Sequence, residues 1–318
     1  SRVPSMSSST VSIWSQSIMR RIMPVWCAVH TLRVKEFRML VLNDLVPPML
    51  DLCHQAGELI CDHNHAPGAD QYQAKGDDSP LTRADLDSHA CLQAGLVALQ
   101  PQLPVLSEES SDSEKARRHD WQRFWMVDPL DGTKEFLART GEFTINIALI
   151  DGHRPVLGLL YLPLEKTAYV GIPGQGARRL AFRDGQWHEQ PLAVRSLPAG
   201  DALTVLASRR HRGPRLLACL EWLGGKWGEV ERRDSGSALK FCQLAEGIGD
   251  FYPRFTPCCE WDTAAGQALL EAAGGAVLGQ DGRPLRYNQG DSLYSPNFYA
   301  IADPDAPLWR QLLAREPF

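Results

Sequence analysis

"WMVDPLDGTKEF", residues 125–136, ends an apolar run with two aspartates three positions apart, separated by Pro129 and Leu130 and followed by Gly132 and Thr133. Asp, Pro and Gly are turn formers, because Pro presets φ and Gly accepts positive φ, so a plain surface turn explains the composition. The competing reading is that Asp128 and Asp131 converge on something positive. Which holds depends on the partners the rest of the chain supplies.

The chain has 318 residues, 44% hydrophobic and 22% charged, enough for one large globular domain or two ordinary ones. A formal net charge of −5 gives no global pull toward nucleic acid. Eight cysteines, at 27, 53, 61, 91, 219, 242, 258 and 259, form no C-x-x-C pair, and no histidine pair has zinc-finger spacing. Buried thiols in a reducing compartment are the expectation. No run reaches the ~18 apolar residues of a membrane-spanning helix. Residues 1–38 carry no acid before Glu36 and have Ser and Arg along their length, which suits a transit or membrane-surface segment. Met39 opens a far more regular sequence, so a poorly ordered extension with no role in the fold is expected.

Apolar spacing predicts a helix in "LVLNDLVPPMLDLCHQAGELICDHN", interrupted early by Pro47 and Pro48, and a second in "SPLTRADLDSHACLQAGLVALQ". "PVLSEES" and "RFWMVDP" read as strands ending on acids, and "FTINIALI", "PVLGLLYLP", "TAYVGI" and "ARRLAF" as a mostly antiparallel set. After "RSLPAG" strands and helices alternate as in an α/β unit. The expected organisation is a 39–198 α+β domain carrying the acids and a 199–318 α/β domain.

Four sets of acids sit where elements end or begin: Asp85, Glu108 with Glu109, Asp128 with Asp131, and Asp262. Each has an ordinary explanation. Thr82-x-x-Asp85 fits a capping box, Asp262 an N-cap, and the run from Glu108 to Asp112 a solvated loop. Together, carboxylates on separate elements repel unless a cation joins them. Oxygen donors without Cys or His favour Mg²⁺ over Zn²⁺. Gly132 and Thr133, opening a short helix over "KEFLA", would offer amides to an anion. A phosphate met by metal-activated water is the natural chemistry. The D-x-D-G-T of haloacid-dehalogenase phosphatases is broken by Pro129, and an EF-hand loop fails for lack of alternating acids.

"SEE" at 107–109, "VDPLDGT" at 127–133 and "WDTAAG" at 261–266 resemble the three metal motifs of the inositol monophosphatase superfamily. The resemblance covers about residues 42–302 and implies a layered α-β-α-β-α sandwich and an Mg²⁺-dependent, Li⁺-sensitive phosphatase. "DGTKEF", "GEFTINIALID", "SALKFCQLAEG" and "YPRF" look like the 3'(2'),5'-bisphosphate nucleotidases of bacterial sulfur assimilation, which hydrolyse 3'-phosphoadenosine 5'-phosphate to AMP. By this resemblance Glu108, Asp128, the Leu130 carbonyl, Asp131 and Asp262 would hold two Mg²⁺, with a third allowed, Asp128 bridging. Thr133, oriented by Asp85, would position the attacking water, and Glu108 would help deprotonate it.

For the substrate, the resemblance points to Glu108, Leu130, Asp131, Gly132, Thr133 and Asp262 around the phosphate, and to Ser208, Arg209, His211, Lys240 and Arg254 around the nucleotide. Lys240 could equally be a solvated helix lysine, and Ala238 stands where relatives often carry Ser. "SSDSEKARRHD" resembles a variable loop that is often a mobile lid. Inositol monophosphatase or fructose-1,6-bisphosphatase activity, and a non-catalytic sensor of nucleotide or metal, are the alternatives. The expected setting is the cytoplasm, with a small-molecule nucleotide partner and no nucleic acid. Contact with the inner-membrane periphery is an open option, as are monomer and homodimer.

Overall fold

The computed structural model describes residues 41–65, 72–74, 80–197, 200–210, 213–315 and 318. The extension over 1–38 and His211 therefore lie outside the described residues. Asn43–Phe318 form one compact unit.

Its order is α1 (Leu42–His65), β1 (Gln73–Ala74), β2 (Pro80–Leu81), α2 (Arg83–Leu99), β3 (Val105–Ser107), α3 (Asp112–Ala116), β4 (Arg123–Asp131), α4 (Thr133–Leu137) and β5 (Thr144–Asp151). Next come β6 (Arg154–Leu162), β7 (Thr167–Ile172), β8 (Gly176–Arg183), β9 (Gln186–Leu192), β10 (Leu203–Ser208), α5 (Pro214–Trp227), β11 (Val230–Ser235) and α6 (Leu239–Ala245). The chain closes with β12 (Phe251–Arg254), β13 (Cys258–Cys259), α7 (Ala264–Ala272), β14 (Ala276–Gly279), β15 (Tyr294–Ser295), β16 (Phe298–Ile301) and α8 (Pro307–Leu313).

Strands β3 to β9 make a seven-stranded sheet in chain order, parallel at β3–β4 and antiparallel elsewhere. A five-stranded sheet runs β11-β10-β12-β16-β14, with the first three strands parallel and the other pairings antiparallel. The second half is thus mixed, not purely α/β: β14 and β16 add an antiparallel edge.

Helix α1 runs through Pro47 and Pro48, which do not interrupt it. Burial of Leu45, Val46, Met49 and Leu50 around them offsets the lost amide donors. The run expected to be a loop or lid holds α3 and a 3₁₀ turn, Arg117–Asp120. Ser111 and Glu114 order it through a reciprocal capping box.

Helix α7 is buried over seven consecutive residues, Ala264 to Leu270, because it lies between the sheets. Its small residues let it approach β6 and β7, where a Cβ on Gly158 or Gly171 would strike the backbone of Ala265 or Leu269. One core joins Phe124, Met126, Ala148 and Leu160 of the large sheet to Phe241, Leu269 and Phe298. A second joins Val205, Phe251 and Ile301 to Cys219 of α5 and Trp309 of α8. The result is the α-β-α-β-α layering, a mixed α+β architecture.

Candidate active site

Register decides the geometry around Asp128. On β4, Phe124, Met126 and Asp128 pair with Ile150, Ala148 and Asn146 of β5, and so share the face turned toward α7. Three residues later, strict alternation would send Asp131 to the opposite face. A bulge intervenes: Asp128 pairs with Asn146 but Asp131 with Thr144, so three steps on β4 match two on β5. Pro129 falls inside the bulge, where its missing N–H costs no ladder bond. Asp131 therefore returns to the face of Asp128, and its Oδ2 accepts from Asn146 Nδ2 at 3.3 Å. The Ser88 hydroxyl donates to the Pro129 carbonyl at 2.8 Å, and the Leu130 amide to Asp128 Oδ1 at 3.0 Å, which fixes the bulge.

Asp262 reaches the same place from the other half of the chain. It does not cap α7, whose N-cap is Thr263. It ends a 3₁₀ turn, Glu260–Asp262, and accepts from the Cys259 amide at 2.9 Å. One carboxylate oxygen from each of Asp128, Asp131 and Asp262 lies within 4.8 Å of the others. Glu108 leaves β3 beside them, its amide bonded to the Val127 carbonyl at 3.0 Å, and lines the same cavity. Burial pushes the Asp128 carboxyl well above its ordinary range, reinforced by Glu108, Asp131 and Asp262. Asp262 is raised by burial and then by Asp131 and Glu108. Asp131 is pushed up to about 6 by burial, against the opposing pull of Lys240, Asn146 and the Ala238 amide.

Such a cluster disfavours its own charges, and a dication relieves it. The donors fit Mg²⁺: oxygens on converging rigid elements. Cys258 and Cys259 also line the cavity, a placement that no motif in the sequence signals. In the metal-free protein burial pushes the Cys258 thiol up to about 12 and the Cys259 thiol higher, so both are neutral there.

Asp85 contacts both the helix cap and Thr133. Its Oδ2 accepts from the Thr82 amide at 2.7 Å and hydroxyl at 2.6 Å, closing the capping box of α2. Its Oδ1 faces the Thr133 hydroxyl at 3.2 Å, whose proton has the Leu130 carbonyl at 3.3 Å as an alternative acceptor. Between Asp131 and Thr133 the chain turns at Gly132 with φ +93°, where a Cβ would also crowd Glu142 and Ser237.

A model of the inositol monophosphatase family matches residues 44–310. The chain belongs to that family. The 3'(2'),5'-bisphosphate nucleotidase CysQ of Salmonella typhimurium is 40% identical over 256 residues, covering 80% of this chain and 98% of the relative. The protein of the same name from Escherichia coli K12 matches with the same figures. A crystal structure of CysQ from Bacteroides thetaiotaomicron superposes with a TM-score of 0.68 at 40% identity, covering 80% of this chain and 97% of that one. An inositol monophosphatase of Thermotoga maritima, 19% identical, shares the fold at a TM-score of 0.66, over 85% of this chain and 95% of its own.

In this chain the acids open onto a cavity of about 590 Å³ whose wall includes Gly132, Thr133, Ser208, Lys240 and Arg254. Arg209 is not in that wall; it pairs with Glu142 at 2.8 Å, and its neighbour Arg210, unremarked in the sequence, lines the cavity while bonded to Glu135 at 2.7 Å. Lys240 is not the solvated lysine considered above. It is 2% exposed, and its ammonium donates to the carbonyls of Ser235, Gly236 and Ser237 at 3.1, 3.3 and 2.6 Å. Burial lowers its pKa to about 8. The loop it holds delivers the Ala238 amide to Asp131 Oδ2 at 2.6 Å, so position 238 acts through its backbone. Arg254 bonds the carbonyls of Thr256 and Pro257, both at 3.1 Å. Ser208, Tyr252 and Arg254 also border a second, mainly apolar recess of about 260 Å³. Among the described residues no helix is long and apolar enough to cross a membrane.

Proposed function

We propose that the protein is an Mg²⁺-dependent 3'(2'),5'-bisphosphate nucleotidase that hydrolyses the 3'-phosphate of 3'-phosphoadenosine 5'-phosphate to AMP and phosphate, with 3'-phosphoadenylyl sulfate a candidate second substrate. The observation that carries this reading is the convergence of Asp128, Asp131 and Asp262 within 4.8 Å, in a chain 40% identical to the CysQ nucleotidases. We assign Glu108, Asp128, the Leu130 carbonyl, Asp131 and Asp262 to two Mg²⁺ ions, with a third left to titration. When bound, the ions supply a more acidic water and neutralise charge on the phosphate.

The chain's own groups do the rest. Thr133, donating its proton to Asp85 Oδ1, turns a lone pair toward the water, and Glu108, which lines the same cavity, takes the water's proton. The Gly132 and Thr133 amides hold phosphate oxygens. Ser208 and Arg254, shared between the two cavities, support a nucleotide whose base enters the apolar recess while its 3'-phosphate meets the acids. Lys240 shapes this wall through the 235–237 carbonyls it binds. Arg209 and His211 keep the nucleotide-side role that the resemblance implies.

The same reading takes 39–198 as the metal-binding half and 199–318 as the nucleotide half. It places the protein in the cytoplasm, with Li⁺ as an inhibitor. Liposome flotation of the full chain against one beginning at Met39 tests a membrane contact of the extension; equal flotation removes it.

The deciding assay is phosphate release from 3'-phosphoadenosine 5'-phosphate, inositol 1-phosphate and fructose 1,6-bisphosphate, with and without Mg²⁺ and Li⁺. A kcat/KM preference of about 100-fold for the nucleotide, roughly 3 kcal/mol, is expected, lost on removing Mg²⁺. Preference for either other substrate overturns the specificity, and no turnover of any overturns the activity.

A further inference from the structure

Lys115, on α3, is not in the cavity wall, yet it touches both segments that bring acids to the cavity from outside β4. Its Nζ donates to the Glu108 carbonyl at 2.6 Å. The same ammonium lies 5.3 Å from the centroid of the Trp261 ring, the residue just before Asp262. One side chain thus ties the loop leaving the seven-stranded sheet to the turn entering α7. Glu108 is held on both sides, its amide on the Val127 carbonyl at 3.0 Å and its carbonyl on Lys115. Lys115 is held in turn, because the Ser111 amide donates to Glu114 Oε2 at 2.8 Å and the Glu114 amide to Ser111 Oγ at 3.3 Å, capping the short helix that carries it.

Removing the ammonium would take the Lys115 donor from the Glu108 carbonyl and the cation from the Trp261 ring. The loop and the turn would then lose their direct link. We infer that Lys115 is a positioning residue that spaces Glu108 against Asp262 and thereby sets the affinity of the site for Mg²⁺. The inference rests on the metal assignment proposed above. Partners that orient metal ligands from behind are typically worth about 10- to 100-fold in metal affinity.

The test is an isothermal calorimetric titration of the metal-free full-length protein with MgCl₂, reading the Mg²⁺ concentration at half-saturation as the midpoint, with thermal unfolding of the metal-free protein recorded beside it. In Lys115→Met, which keeps the aliphatic stem, that midpoint rises about 10-fold, while Lys115→Arg stays within about 3-fold of the wild type. At saturating Mg²⁺, KM for the nucleotide is unchanged in both. A Lys115→Met protein whose metal-free Tm falls but whose Mg²⁺ midpoint does not move overturns the inference, since Lys115 is then a structural prop. Should Lys115→Met fail to fold, Trp261→Leu probes the same link: its midpoint rises while that of Trp261→Phe, which keeps a ring, moves less, and equal unmoved midpoints overturn the inference. A wild type indifferent to Mg²⁺ defeats the metal assignment itself, a result distinct from an unmoved Lys115→Met midpoint.

Discussion

Asp250 and the trio Asp128, Asp131 and Asp262 are two acidic sites in one compact unit, and their charge is met in opposite ways. Asp250 is 0% exposed and accepts from Arg195 Nε at 2.7 Å and Nη2 at 2.6 Å and from the Thr204 amide at 2.7 Å. Its countercharge is built into the chain. Among the described residues the hydrogen-bond donors to the trio are neutral: the amides of Leu130, Ala238 and Cys259 and the side-chain amide of Asn146. Lys240, the cation that most lowers Asp131, spends its hydrogen bonds on the carbonyls of 235–237. A carboxylate with its own arginine is structure; three crowded together with neutral donors are waiting for a cation from outside.

That contrast can be broken at either site. Asp131→Asn should cost at least about 10³-fold in kcat/KM, roughly 4 kcal/mol of transition-state stabilisation, while circular dichroism shows the fold intact. Wild-type-like turnover in that variant removes the metal assignment. Asp250→Ala should do the reverse, leaving Arg195 with no carboxylate and destabilising by about 3 kcal/mol, or about 6–10 °C in Tm. Its activity per folded molecule should match the wild type; a selective loss of turnover would erase the distinction. Thr133→Val, which removes the hydroxyl facing Asp85 Oδ1, should lower kcat about 10²-fold with little change in KM. An unchanged kcat there would confine Asp85 to capping α2.

The acids were legible in sequence because each stands where an element ends or begins, and Asp85, Glu108, Asp128, Asp131 and Asp262 do meet around one cavity or its immediate support. What Pro129 achieves was only half legible: a turn is readable from the residue types, but a bulge that restores one face needs the register of β5. Arg209 and Arg210 could not be separated, since a single step in the loop after β10 exchanges the residue that faces Glu142 for the one that lines the cavity. A nucleotide-side Lys240 could not be told from a solvated one in sequence, because a seven-residue helix is too short for periodicity to show that its polar position is buried. Strand β9 was missed because it is mostly exposed and lacks alternation, and β16 with α8 because their burial comes from packing on β12 and α5.

The most direct test follows the metal-free protein through pH. With its carboxyl raised to about 6, Asp131 contributes stability that is complete below the ordinary value of 3.8 and is lost as pH climbs through about 6; Asp128 and Asp262, also raised, act in the same sense. The measurement is Tm at about pH 4.5 and about pH 7.5, with and without Mg²⁺, in the wild type and Asp131→Asn. The expected result is a fall in metal-free Tm toward the higher pH that shrinks by about 3–6 °C in Asp131→Asn, with Mg²⁺ raising the wild-type Tm mainly at the higher pH. A metal-free Tm that falls equally in both proteins, together with no effect of Mg²⁺ on the wild type, would contradict the claim that these acids await a cation.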